Sequence, residues 1–111
     1  LRSLQSSFCV SRPYDPASRL YDPALGGGGL LDLGVYSVTM TRWVLQQALG
    51  ARAEPSSIHA VGMLAPTGVD LRISAMLRFP GGVCSQFVCG LDGWASNSLS
   101  IHGERGVIEV K

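Results

Sequence analysis

The chain is almost without lysine: its only one is Lys111, the last residue. Chemistry that needs an interior ammonium group must borrow it from elsewhere. Charge as a whole is scarce, with 15% charged residues, a formal net charge of +1 and arginines scattered singly between Arg2 and Arg105. No basic patch marks a nucleic-acid or anionic-lipid surface. No apolar run reaches the roughly 18 to 20 residues that a bilayer span requires. The N-terminus lacks a basic segment ahead of an apolar one, which excludes a signal-peptide reading. The expectation is a cytoplasmic protein that binds neither nucleic acid nor membrane. Cysteine is also sparse. Cys9, Cys84 and Cys89 are odd in number and show no CxxC spacing, which argues against a disulfide framework and against zinc. All three are expected to be small buried hydrophobes. His59 and His102 have no ligand-spaced partner, so no metal site is expected.

What is present is apolar: 46% of the 111 residues are hydrophobic, enough for the core of one domain. SLQSSFCV (3–10) alternates, with Leu4, Ser6, Phe8 and Val10 on one side, and predicts a strand. SRPYDPASRLYDPAL (11–25) carries three prolines and two Asp-Pro pairs, which disfavour helix and predict an ordered loop. Its Arg12, Tyr14, Arg19 and Tyr21 suit either aromatics packed down on a sheet or a ligand-facing loop. From Leu30 the apolar residues Leu31, Val35, Val38, Leu45 and Leu49 recur at helical spacing, and Gly50 ends the helix. ARAEPSS (51–57) reads as a loop. IHAVGMLA (58–65), VDLRISAMLRF (69–79), VCSQFVCGL (83–91), SLSIH (98–102) and VIEV (107–110) then read as strands. Pro80-Gly81-Gly82 and Gly103-Glu104-Arg105-Gly106 make hairpin turns between them. The predicted fold is α+β: an open-faced, mainly antiparallel sheet with one long helix packed on one face. Both ends stop in strand-like runs, so residues 1–111 are expected to be a single, partial domain cut from a longer chain.

The run LGGGGLLDLGVY (25–36) calls for explanation. A flexible linker would mix glycine with serine between independent units. A nucleotide loop fails too, since Gly26-x-Gly28 continues to Leu31, no strand immediately precedes it, and GxxxxGK[ST] is absent. A tight turn remains, in which positive φ and missing side chains let the helix N-terminus approach a neighbour or a bound molecule. Interior Gly34 costs about 1 kcal/mol of helix propensity relative to alanine, which again points to close approach. Asp32 and Tyr36, at i and i+4, fall on one helical face about 5 to 6 Å apart at Cβ, with Thr39 and Trp43 continuing the row. Asp32 also suits the helix dipole, and Tyr36 suits the edge of a core. The pair has a chemical use as well. A phenol with an ordinary pKa near 10 exchanges protons at neutral pH when a cation stands beside it, and a carboxylate can orient substrate hydroxyls.

These residues resemble a family. Nearly end to end, the chain is similar to the C-terminal domain of the glucose-fructose oxidoreductase / inositol dehydrogenase (Gfo/Idh/MocA) family of NAD(P)-dependent enzymes. Within it, the likeness is to the branch of dimeric dihydrodiol and D-xylose dehydrogenases. The signature GGGxLxDxGxY/H is matched at every fixed position from Gly26, Gly27 and Gly28 through Leu30, Asp32 and Gly34 to Tyr36. Thr67-Gly68-Val69-Asp70 and Ile101-His102-Gly103 with Gly106 support it. The resemblance implies docking on an N-terminal Rossmann domain, with Tyr36 as acid/base and Asp32 orienting substrate or base. It further implies a lysine from a Glu-Lys-Pro motif of that absent domain. NADP or NAD would be bound mainly by the same domain, since this chain has no cofactor-binding residues of its own. Arg12 and Arg19 are expected to contact a sugar or trans-dihydrodiol substrate, and the outer sheet face is expected to pair with another subunit in a homo-oligomer. On this reading the chain is a substrate and oligomerisation domain, inactive alone. The rival reading is a stand-alone binding or dimerisation module that kept the fold without the chemistry.

Overall fold

In the computed structural model, residues 1–50 and 53–111 are described; the first two positions of the loop expected at 51–57 lie outside them. Six strands form one sheet: β1 (Ser3–Cys9), β2 (Ser57–Leu64), β3 (Asp70–Arg78), β4 (Cys84–Gly90), β5 (Leu99–His102) and β6 (Val107–Val110). Their order across the sheet is β2-β3-β4-β1-β5-β6. The consecutive hairpins β2/β3, β3/β4 and β5/β6 are antiparallel, with Ala60 opposite Ala75, Ala75 opposite Phe87 and Ile101 opposite Ile108. The turn at Pro80-Gly81-Gly82 is closed by the Phe79 amide donating to the Val83 carbonyl at 2.8 Å. The last turn is closed by the Gly103 amide on the Gly106 carbonyl, also at 2.8 Å. One pairing departs from the antiparallel expectation. β1 lies parallel to β4, with Leu4 opposite Ser85 and Phe8 opposite Cys89, so the sheet is mixed. A parallel neighbour cannot follow by a tight turn, and here the connection includes the helix and two further strands.

The long helix α1 (Val35–Leu49) covers the inner sheet face and ends at Gly50, whose φ of 68° places it in the left-handed region. It is entered through a π-helical turn, Leu30–Gly34, in which the Val35 amide reaches back to the Leu30 carbonyl. This wide turn corrects the expected apolar stripe. An i→i+5 bond adds a residue to the turn and shifts the phase of everything that follows. Val38 and Leu45 do face inward, but Leu31, Val35 and Leu49 are exposed. The buried face of α1 is instead Ser37, Thr41, Val44 and Leu45. Small residues there let the helix sit close to β4, where Thr41 Oγ1 and Ser85 Oγ are 3.2 Å apart and both buried.

Two core clusters flank that contact. One gathers Tyr21, Leu33, Ala65, Val69, Ala75, Phe87, Cys89 and Leu91; the other gathers Leu4, Val44, Leu45, Phe79, Val83 and Leu99. The cysteine expectation holds for Cys9 and Cys89, which are buried, and fails for Cys84, which is exposed. Its neighbours in β4 alternate, so Ser85 points into the core and Cys84 to the open face of the sheet. The loop from Ser11 contains two short 3₁₀ turns, Arg19–Tyr21 and Pro23–Leu25, capped by the Ser18 hydroxyl and the Asp22 carboxylate. Its Tyr21 is packed down, with the hydroxyl donating to the Arg12 carbonyl at 2.7 Å and Tyr14 edge-on at 5.1 Å. Burial, with a smaller effect from Asp92, raises the Tyr21 pKa, as befits a structural phenol. No helix among the described residues is long and apolar enough to cross a membrane.

Candidate functional site

The glycine turn is built by backbone bonds that leave no room for side chains. The Gly27 amide donates to the Asp22 carbonyl at 2.9 Å, and the Gly28 amide to the Leu20 carbonyl at 2.8 Å, which folds the turn onto the loop before it. Gly28 has φ of 109°, and a Cβ added there would lie 2.3 Å from Asp70 Oδ1. Only glycine satisfies both demands. Gly34 answers to packing rather than conformation: a Cβ there would stand 3.0 Å from Cys89 Sγ on β4. Gly26 ends the second 3₁₀ turn in the left-handed region, and a Cβ at Gly27 would lie 2.6 Å from the Leu20 carbonyl oxygen. The expected tight turn with close backbone approach is what the structure contains.

That turn launches the site. Asp32 lies in the π-helical turn, its amide on the Gly28 carbonyl at 3.2 Å. Its carboxylate Oδ1 is 3.1 Å from Arg19 Nη1, with the acid 26% exposed and the arginine 68% exposed. The loop thus delivers Arg19 across thirteen residues of sequence to Asp32. Arg12 is not brought to this cluster; it is exposed and its guanidinium donates to the Ser11 carbonyl at 3.4 Å. Tyr36 is the second residue of α1 and is 56% exposed. Its ring stacks on Phe8 of β1, centroids 5.4 Å apart at an interplanar angle of 27°. Beside it opens a cavity of about 250 Å³, lined by Phe8, Tyr36, Met40, Asn97 and Val110 among others, with Lys111 also at its wall. A larger concavity of about 630 Å³ lies on the outer sheet face between His59, Ser74, Met76, Gln86 and Val88.

Two residues of the site escaped sequence reasoning. Phe8 was read only as one side of a strand, and Asp70 only as part of a Thr-Gly-Val-Asp run. The latent signal for Asp70 was a charge placed directly after a turn, at the head of a strand whose alternate face is apolar. Its Oδ2 accepts the Leu30 amide at 2.6 Å. Cys89, beneath Gly34, has its thiol pushed up to about 11, first by burial, then by Asp70 and Cys9. A thiol so placed is inert packing rather than a nucleophile.

This fold is that of a C-terminal domain carried by a class of oxidoreductases. The chain belongs to the GFO/IDH/MocA C-terminal domain family, whose pattern it matches over residues 1–109. It is 36% identical over 110 residues to trans-1,2-dihydrobenzene-1,2-diol dehydrogenase of Sus scrofa, covering 99% of this chain and 31% of that protein. The mouse enzyme of the same name is 34% identical over the whole chain, again covering 31% of the relative. The chain thus spans about a third of the length of these relatives. Among solved structures it superposes on aldose-aldose oxidoreductase from Caulobacter crescentus, complexed with glycerol, with a TM-score of 0.82 and 26% identity, covering 97% of this chain and 32% of that one. It also superposes on KijD10, a 3-ketoreductase from Actinomadura kijaniata in complex with NADP and TDP-benzene, with a TM-score of 0.70 and 29% identity, covering 93% and 30%.

Proposed function

We propose that this chain is the substrate-binding and oligomerisation domain of an NAD(P)-dependent oxidoreductase acting on a CH–OH group of a sugar or trans-dihydrodiol, inactive without a nucleotide-binding Rossmann domain. The observation that carries the reading is one helix end presenting an exposed phenol, Tyr36, one turn beyond a carboxylate, Asp32, that is held by Arg19. In this reading Tyr36 takes the proton of the substrate hydroxyl, or returns it to the carbonyl. Asp32 and Arg19 present an acceptor and a donor to the neighbouring hydroxyls and fix the reacting carbon against the phenol. Arg12, at the start of the same loop, reaches the distal part of the substrate.

NADP or NAD supplies the hydride chemistry when bound. The pyrophosphate does not fit the glycine turn of this chain. The Gly27, Gly28 and Leu30 amides are already taken by Asp22, Leu20 and Asp70, and the Asp70 carboxylate would repel a phosphate. The nucleotide therefore belongs to the separate domain, as does the cation beside Tyr36. Support for docking comes from the π-helical turn and α1, where the apolar residues Leu31, Val35, Tyr36, Met40 and Trp43 are all exposed. The outer sheet face, with Val61, Met63 and Met76 exposed, serves subunit pairing in the cytoplasm.

The test is a dehydrogenase assay of the full-length protein against sugars and diols with both cofactors, run beside the isolated chain. Turnover by the full-length protein alone supports the proposal. A full-length protein that dimerises but reduces neither cofactor with any of them would favour a non-catalytic module.

A further inference from the structure

Asp70 lies in a different part of the sequence from every residue assigned above, yet it holds the segment from which they project. It is the first residue of β3, and its half-buried carboxylate faces the glycine turn. Oδ2 accepts the Leu30 amide at 2.6 Å, and Oδ1 occupies the space that a side chain at Gly28 would need. The first amides of a helix have no partner within it, and neither Gly29 nor Gly34 supplies a side-chain cap here. A capping group from 40 residues away takes that role. Its bond is charge-assisted and short, and so fixes position more tightly than a neutral cap. The Asp32 amide is bonded to Gly28, so what holds Gly28 to Leu30 also sets where Asp32 stands and where the helix carrying Tyr36 begins.

We infer that Asp70 is a positioning residue for the proposed reaction: it sets the Asp32–Tyr36 geometry by gripping the glycine turn through the Leu30 amide. This rests on the function proposed above. Misplacement of a reacting group by about 1 Å costs on the order of a hundredfold in rate. Asparagine at position 70 keeps an oxygen of the same reach, alanine removes it, and glutamate keeps the charge but overshoots by one methylene.

In the full-length protein, Asp70→Ala and Asp70→Glu are expected to lower kcat by about tenfold or more while the cofactor KM stays within about twofold. Asp70→Asn is expected to recover kcat to within about threefold of wild type. Exchange of the Leu30 amide with solvent should be slow in wild type and Asp70→Asn, and fast in Asp70→Ala. A merely structural role would lower Tm and folded yield but leave kcat per folded molecule and the Asn rescue unmoved. If Asp70→Ala does not fold, Asp70→Glu and the Leu30 exchange carry the test. Wild-type kcat in Asp70→Glu or Asp70→Ala, an Asn variant as slow as the Ala variant, or an unprotected Leu30 amide in wild type would each overturn the inference. Tyr36→Phe, assayed in parallel, separates the two claims. If it retains turnover, the acid/base role of Tyr36 fails; if it is inactive while the Asp70 variants are fast, only the role of Asp70 fails.

Discussion

Replacing Gly28 with alanine tests whether the glycine turn is shaped by conformation, by Asp70, or by both. At φ of 109° a Cβ-bearing residue is strained by about 1–3 kcal/mol. The added Cβ also lies 2.3 Å from Asp70 Oδ1, so the carboxylate must leave and its bond to the Leu30 amide is lost. A hydrogen bond to a charged group is worth about 1.5–3 kcal/mol. The expected loss is therefore about 2.5–6 kcal/mol, a large part of the roughly 5–15 kcal/mol by which a domain is stable. With a urea slope of about 1–3 kcal/mol/M, the unfolding midpoint should fall by about 2 M. Gly81→Ala is the control. Its φ of 87° is equally left-handed, but nothing lies within 4 Å of the added Cβ, so only the backbone strain is felt. Combining Gly28→Ala with Asp70→Ala should cost less than the sum of the two, by about 1.5–3 kcal/mol, because the collision and the bond vanish together. A Gly28→Ala variant no less stable than Gly81→Ala, or a double variant that is simply additive, would refute the reasoning.

Four further outcomes are expected. Leu45, fully buried between α1 and the sheet, should cost about 2–5 kcal/mol when truncated to alanine, read by urea unfolding. At pH 8 a thiol reagent should label Cys84 alone in the native protein, and Cys9 and Cys89 only after unfolding. Because burial raises the Cys89 pKa to about 11 from the ordinary thiol value of 9.0, its contribution to stability is whole below pH 9 and is lost as pH rises toward 11, so Tm should fall across that window. Arg19→Met should leave stability within about 1 kcal/mol, since the Arg19 side of the Arg19–Asp32 pair is solvent-screened, yet raise the substrate KM of the full-length protein.

The hairpins were legible because local pattern and local pairing coincide. In β3, Leu71, Ile73, Ala75 and Leu77 alternate with Arg72, Ser74, Met76 and Arg78, and the turn glycines follow directly. The parallel β1–β4 pairing was not legible, because its partners are about 80 residues apart and no local period encodes them. The stripe on α1 misled for a different reason. The π-helical entry moves the phase, and the buried face of the helix includes Ser37 and Thr41, buried for their size rather than their hydrophobicity. Of the site, the glycines, Asp32 and Tyr36 were visible through the signature they share with a family. The pairing of Arg19 with Asp32 depended on how the Asp-Pro loop folds. Asp70 and Phe8 reach the helical segment from β3 and β1, through contacts that spacing does not show.

The most direct measurement of the central claim is the turnover of the full-length protein with Tyr36 changed to phenylalanine. The ring that stacks on Phe8 is kept and only the hydroxyl is removed. Cofactor affinity and Tm should match wild type while kcat falls by about 10²- to 10⁴-fold, the usual worth of a positioned acid/base. Undiminished kcat in that variant would contradict the account.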